Sequence, residues 1–245
     1  MFDFDLQTIL YFVIAVLVLV IAGQAYYIWS RPAKQELLAL PDRQGEAGGG
    51  EAATGEAGTG SFLSNLTWRR AVKHFAEGEV DLEPIKSAIA NAPSSFGIQP
   101  YRVYVVTDIV KKETLRDVCF DQSQVSESHA LFVFCALKDV DARAEAMITA
   151  TGADQMRDMV KGFLSNVPDK VDWAKRQAYI ALGFGLAAAA ERKIASCPME
   201  GLMGDKVAEI LGITDAVPCV MLAVGKLDET ETLHLRFRFS DVVVV

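Results

Sequence analysis

The sequence predicts a layered α+β domain behind an apolar N-terminal segment. Three observations predict it. Short β-branched runs alternate with segments of helical period across residues 61–245. A glycine-rich acidic stretch precedes them, and the first thirty residues hold a long run without charge.

Residues 6–30 contain no Asp, Glu, Lys or Arg. A helix of about 20 residues spans about 30 Å, the thickness of a hydrocarbon core. Tyr26, Tyr27 and Trp29 sit at one end, where an aromatic belt belongs. Arg31 and Lys34 follow, whereas Asp3 and Asp5 precede. This bias predicts a single-pass anchor over residues 1–30, embedded through residues 8–29, with the globular part on the cytoplasmic side. A cleaved signal peptide would have a basic start and a shorter apolar core. Residues 31–60 then read as a flexible tether: Gly45–Gly60 (GEAGGGEAATGEAGTG) cannot bury a core.

Residues 61–245 supply the folded domain. Helices are expected at Asn65–Phe75, at Asp81–Asn91 with Asp81 as N-cap, and at Lys112–Val118. Tyr101–Thr107 and Ala130–Leu137 read as strands, the second buried. Ala142–Leu164 is helical with an interruption at Gly152, and Asp172–Lys193 is a long Ala-rich helix. Asp205–Leu211 is a short helix closed by Gly212, and Val217–Val224 and Leu233–Phe239 read as strands.

Composition narrows the function. The 245-residue chain is 51% hydrophobic and 23% charged, which excludes disorder throughout. A net charge of −8 argues against nucleic acid as a partner, because phosphate recognition needs a basic face. The four cysteines and three histidines form no cluster with metal-ligand spacing, so no metal site is expected.

Four clusters could carry chemistry. On a helix, Arg69 and Lys73 would share a face beside Arg70; the set could clamp a phosphate or form a solvated basic face. Pro93-Ser94-Ser95-Phe96-Gly97-Ile98-Gln99-Pro100 links a helix to a strand with polar groups between rigid ends; an ordinary turn would read the same way. Pro198-Met199-Glu200-Gly201 forms a bracketed loop whose N–H groups could face a ligand, or whose Glu200 could simply face solvent. In Leu235–Phe239, Arg236 and Arg238 share one face of a strand, a pattern that also blunts a sheet edge. Two patterns mislead. Gly183-Phe-Gly-Leu-Ala-Ala matches a dinucleotide fingerprint but lies inside a helix, where small residues serve close packing. Asn65-Leu66-Thr67 is a glycosylation sequon that matters only outside the cell.

Taken in order, the clusters over residues 64–245 resemble the nitroreductase family of FMN-dependent oxidoreductases. The carriers are Arg69-Arg70-x-x-Lys73, Pro93-Ser94-Ser95-x-x-x-Gln99-Pro100, the stretch from Gln122 to Cys135, the helix opening at Trp173, Pro198–Gly201 and Arg236-x-Arg238. The resemblance implies a mixed central sheet flanked by helices in an intertwined homodimer, with the long Ala-rich helix in the interface. It implies FMN held by Arg69, Arg70, Arg236 and Arg238 at the phosphate and ribityl chain. Lys73 would sit at the pyrimidine edge. Pro93, Ser94 and Ser95 would lie along the ring from the partner subunit, Gln99 would be a further cofactor-binding residue, and Gln122 and Gln124 would be further polar contacts. Pro198, Met199, Glu200 and Gly201 would cover the ring. NADH or NADPH would donate hydride, and a nitroaromatic or quinone-type acceptor would take it in a ping-pong cycle without a protein nucleophile. Ala71 stands where many members have Ser, and Gly97 where many have Asn. Iodotyrosine deiodinases also resemble this domain and carry an anchor, but Asp141–Asp169 lacks their Glu/Tyr/Lys lid set. A non-catalytic flavin-binding module is the remaining alternative.

Overall fold

The structure is a computed structural model and describes residues 61–228 and residue 230. The predicted anchor, the tether, the last strand and Arg236 and Arg238 lie outside the described residues. Among the described residues no helix is long and apolar enough to cross a membrane.

The architecture grows from one strand. All eight side chains of Ala130–Leu137 (β3) are buried. Leu131, Val133 and Cys135 enter one core, whereas Phe132 and Phe134 enter another, as the period of two demands. A strand buried on both faces has no solvent side, so its sequence is continuous rather than alternating. Tyr101–Val106 (β2) pairs with one edge of β3, and Ala216–Leu227 (β5) with the other. Ala195–Met199 (β4) and the two-residue Phe75–Ala76 (β1) both pair with β5. These four pairings are antiparallel. The resemblance implies a mixed sheet. Among the described residues the parallel component is a single bridge between Ala71 and Ser196.

Helices cover both faces. Glu83–Ala90 (α2, after Phe62–Trp68, α1) and Lys170–Glu191 (α7) pack Ile85, Ile89, Ala178 and Leu182 against Phe132 and Leu222. On the other face lie Ile109–Asp117 (α3), Ser123–Glu127 (α4) and Gly204–Leu211 (α8), which bring Leu115, Val125 and Val207 to Leu131 and Met221. Val140–Thr151 (α5) and Arg157–Ser165 (α6) close a third cluster with Ile98 and Trp173. Gly152 ends α5 at φ 65°, so the expected long helix is two. Gly185 packs against Ile89, where a Cβ would stand 3.2 Å away, as expected of helix packing, whereas Gly183 has nothing within 4 Å of a Cβ.

Three boundaries differ from expectation for physical reasons. Pro84 has no N–H to give and belongs in a first helical turn, so α2 starts after Leu82; Asp81 instead accepts from the Glu83 N–H at 3.0 Å. The first helix ends at Trp68 rather than Phe75, because the Val72 N–H is taken by the Ser196 carbonyl at 3.2 Å. Pro198 and Met199 belong to β4 rather than to a loop, because their strand pairs with Leu222 and Met221. The helix Ser123–Glu127 was not expected at all.

Candidate functional site

The cationic segment is extended. Arg69 caps α1 and the chain leaves as a strand-like run, so Arg69 and Lys73 do not share a helical face. The Arg70 guanidinium folds back on the open end of α1, donating to the carbonyls of Thr67 and of Arg69, the latter at 2.9 Å. Lys73 Nζ lies 3.7 Å from Cys197 Sγ in β4, and the Lys73 carbonyl accepts from Ser123 Oγ at 3.1 Å. Lys73 therefore sits over the β4 edge with the start of α4 beside it, whereas the Arg70 guanidinium lies at the end of α1.

Residues 122–124 and 198–201 meet there. Gln122 Nε2 donates to the carbonyls of Cys119 and Gly201, both at 2.9 Å, and Gln122 Oε1 accepts from Gln124 at 3.0 Å. A Cβ on Gly201 would stand 2.5 Å from Gln122 Nε2, so only glycine lets this amide approach. Met203 donates its N–H to Val118 at 2.9 Å, fastening the same loop to the end of α3. Met199 is buried, Pro198 half-buried, and Glu200 exposed. Glu200 Oε1 accepts from the Tyr179 hydroxyl on α7 at 2.6 Å. Burial and the Glu200 carboxylate both push the Tyr179 phenol well above its ordinary value.

The loop from Pro93 is built separately. Phe96, Gly97 and Gln99 have φ of 55°, 70° and 46°. This left-handed run is held by hydrogen bonds: Gln99 N–H to Ser94 Oγ at 2.7 Å, Gln99 Nε2 to the Ala90 carbonyl at 3.1 Å, and Ser95 N–H to Gln177 Oε1 at 3.0 Å. Arg143 Nε donates to the carbonyls of Ile98 and Gln99. Gln99 is thus spent on closing its own loop. The loop leads into β2, at the opposite sheet edge from β4. Three strand spacings separate those edges, about 14 Å. One chain brings Lys73 beside Cys197 and Ser123, and Gln122 with Gln124 onto Gly201; Arg69 and Arg70 precede Lys73 on the same segment, with Arg70 turned onto α1, and Pro93, Ser94, Ser95 and Gln99 form a separate loop.

The sequence reading missed Phe120, Tyr179 and Gln177. Phe120 is 62% exposed beside the site, and with Asp121 it forms a left-handed pair (φ 57° and 54°) pinned by Arg116 Nε on Asp121 at 2.7 Å. An exposed phenylalanine on a strained turn is a local signal. The Tyr179 and Gln177 contacts are tertiary and leave none. Asn65 is buried and donates to Glu191 at 2.8 Å, so its sequon is unavailable in the folded chain.

Residues 66–226 match the model of the nitroreductase family. The chain belongs to the nitroreductase family. A Staphylococcus haemolyticus relative assigned as an NAD(P)H nitroreductase is 30% identical over 210 residues, covering 75% of this chain and 96% of the relative. Among solved structures, a nitroreductase family protein from Streptococcus pneumoniae aligns with a TM-score of 0.64 at 25% identity, covering 76% of this chain and 100% of that one. A protein from Exiguobacterium sibiricum, assigned as a nitroreductase and solved in complex with FMN, aligns with a TM-score of 0.64 at 21% identity, covering 76% and 97%. The expected α+β fold with helices on both faces of a sheet is that of the family.

Proposed function

We propose that this nitroreductase family member is an FMN-dependent oxidoreductase. It takes hydride from NADH or NADPH and passes reducing equivalents to a nitroaromatic or quinone-type acceptor. The observation that carries the reading is the convergence of Lys73, Gln122, Gln124 and Gly201 beside β4, with Arg69 and Arg70 on the same segment. The residues fit the group. A net-negative chain concentrates three cations in five positions, and glycine at 201 lets the Gln122 amide lie against the turn after β4.

When bound, FMN supplies the hydride-accepting and hydride-donating chemistry. Arg69 and Arg70 would hold its phosphate, with Arg236 and Arg238 joining from outside the described residues. Lys73 would place a cation where negative charge gathers on the ring's pyrimidine edge. Gln122 and Gln124 orient one another and would present amide groups. Pro198 and Met199, in β4, would back the ring, and the Glu200 and Gly201 backbone N–H groups would face it.

A homodimer completes the arrangement. The loop with Pro93, Ser94 and Ser95 precedes β2, at the opposite sheet edge from β4, and a second copy would supply it. The α7 face bearing Tyr179, Ile180 and Phe184, each about 40% exposed, is the surface such a copy would cover. Residues 6–30 would hold this assembly at a membrane with the domain on the cytoplasmic side.

The test is direct. Purified protein should be yellow, release FMN on denaturation, and oxidise NADH or NADPH when menadione or a nitrofuran is supplied. Colourless protein that cannot be reconstituted with FMN refutes the proposal; bound flavin without turnover leaves a flavin-binding module. Removing residues 1–30 should shift the protein from the membrane pellet to the supernatant.

A further inference from the structure

The segment Glu200–Gly201 is clamped from two sides. On one side Gln122 Nε2 holds the Gly201 carbonyl at 2.9 Å. On the other the Tyr179 hydroxyl holds the Glu200 carboxylate at 2.6 Å. The second contact is the shorter and is charge-assisted, and it crosses between elements: Tyr179 belongs to α7, Glu200 to the turn after β4. Tyr179 is 38% exposed, so the phenol is not buried for packing alone. Its raised proton affinity keeps it a donor at any physiological pH.

We propose that Tyr179 is a positioning residue for the reductive half of the cycle, holding the Glu200 carboxylate against α7 and away from the face where the nicotinamide stacks. The inference rests on the functional reading above. Without the phenol, a full negative charge on a surface turn is free to swing. It would then compete for space with an incoming dinucleotide, itself anionic, and loosen the Glu200–Gly201 peptide. The effect belongs to the donor step. The acceptor, small and uncharged, is insensitive to the carboxylate, and the phosphate cations lie on a different segment.

Tyr179→Phe removes the one hydrogen bond and keeps the ring. Losing a bond to a charged group predicts about a 10-fold fall in kcat/KM for NADH or NADPH, expressed mainly in KM. Stopped-flow reduction should slow in step, while reoxidation by menadione stays as in the unmodified protein. FMN dissociation, followed by flavin fluorescence without any substrate, should quicken by a few-fold at most. Glu200→Ala should raise FMN dissociation to the same degree as Tyr179→Phe, and the double variant should be no worse than either alone. Glu200→Gln, whose amide oxygen still accepts from the phenol, should restore most of the FMN retention. Independent, multiplying losses, or a Tyr179→Phe protein with unchanged reduction rate, would overturn the proposal. If Tyr179→Phe does not fold, Glu200→Gln decides: it removes the charge and keeps the acceptor, so reduction by NADH should be no slower than in the unmodified protein, and slower reduction with FMN retained would overturn the proposal. Unmodified protein that binds no FMN would instead sink the functional reading.

Discussion

At Gly201 the absence of a methyl group sets where the Gln122 amide lies. Gly201→Ala would put a Cβ 2.5 Å from Gln122 Nε2, the end of a flexible side chain, so the amide swings off the Gly201 carbonyl while the backbone stays. On the proposed reading FMN content, the ratio of 450 to 280 nm absorbance, should fall measurably, by the loss of one hydrogen bond, while far-UV dichroism stays native. The thiols make a second residue-scale prediction. Burial raises Cys119 and Cys219 from 9.0 to about 11, and Cys135 further still. A thiol whose folded pKa is raised contributes stability that is complete below its unfolded value and lost as pH climbs through the folded one. The urea midpoint, as far as these groups govern it, should hold up to pH 9 and decline between pH 9 and 11. Replacing Cys119 with Ala should flatten part of that decline.

Elements were legible in the sequence where their signal is local. The buried strand Ala130–Leu137 is legible to the residue, and so is the closing Gly212, while Gly152 marks a break whose nature as a helix end the sequence leaves open. Reading failed where a distant partner decides. Nothing in Trp68–Lys73 announces that Ser196 will capture Val72 and turn a helical pattern into an extended run. Nothing in Gln99 announces that its side chain will be used to close its own loop. The cationic motif was therefore found but placed on the wrong kind of backbone. The packing of α7 offers a test at this scale. Gly185→Val must displace Ile89 and Leu222, and overpacking of this kind costs about 1–3 kcal/mol. Thermal unfolding should show a lowered midpoint, and Gly183→Ala, with open space around it, should leave the midpoint nearly unchanged.

For the whole molecule, the proposed division of the site between opposite sheet edges ties cofactor binding to assembly. If a second copy brings in Pro93, Ser94 and Ser95, flavin binding and association are linked equilibria. Phe184→Glu, which puts a charge on the 41% exposed centre of the α7 face, should give monomers in size-exclusion chromatography. Those monomers should also lose most of their flavin, although Phe184 touches none of the proposed cofactor residues. Yellow monomers would separate cofactor binding from association and reject the shared site.

The bridge between Ala71 and Ser196 joins points that are half a chain apart in synthesis. A ribosome delivers Ala71 long before Ser196, so a nascent chain that stops short of β4 carries the two arginines and the lysine without the strand that orders their segment.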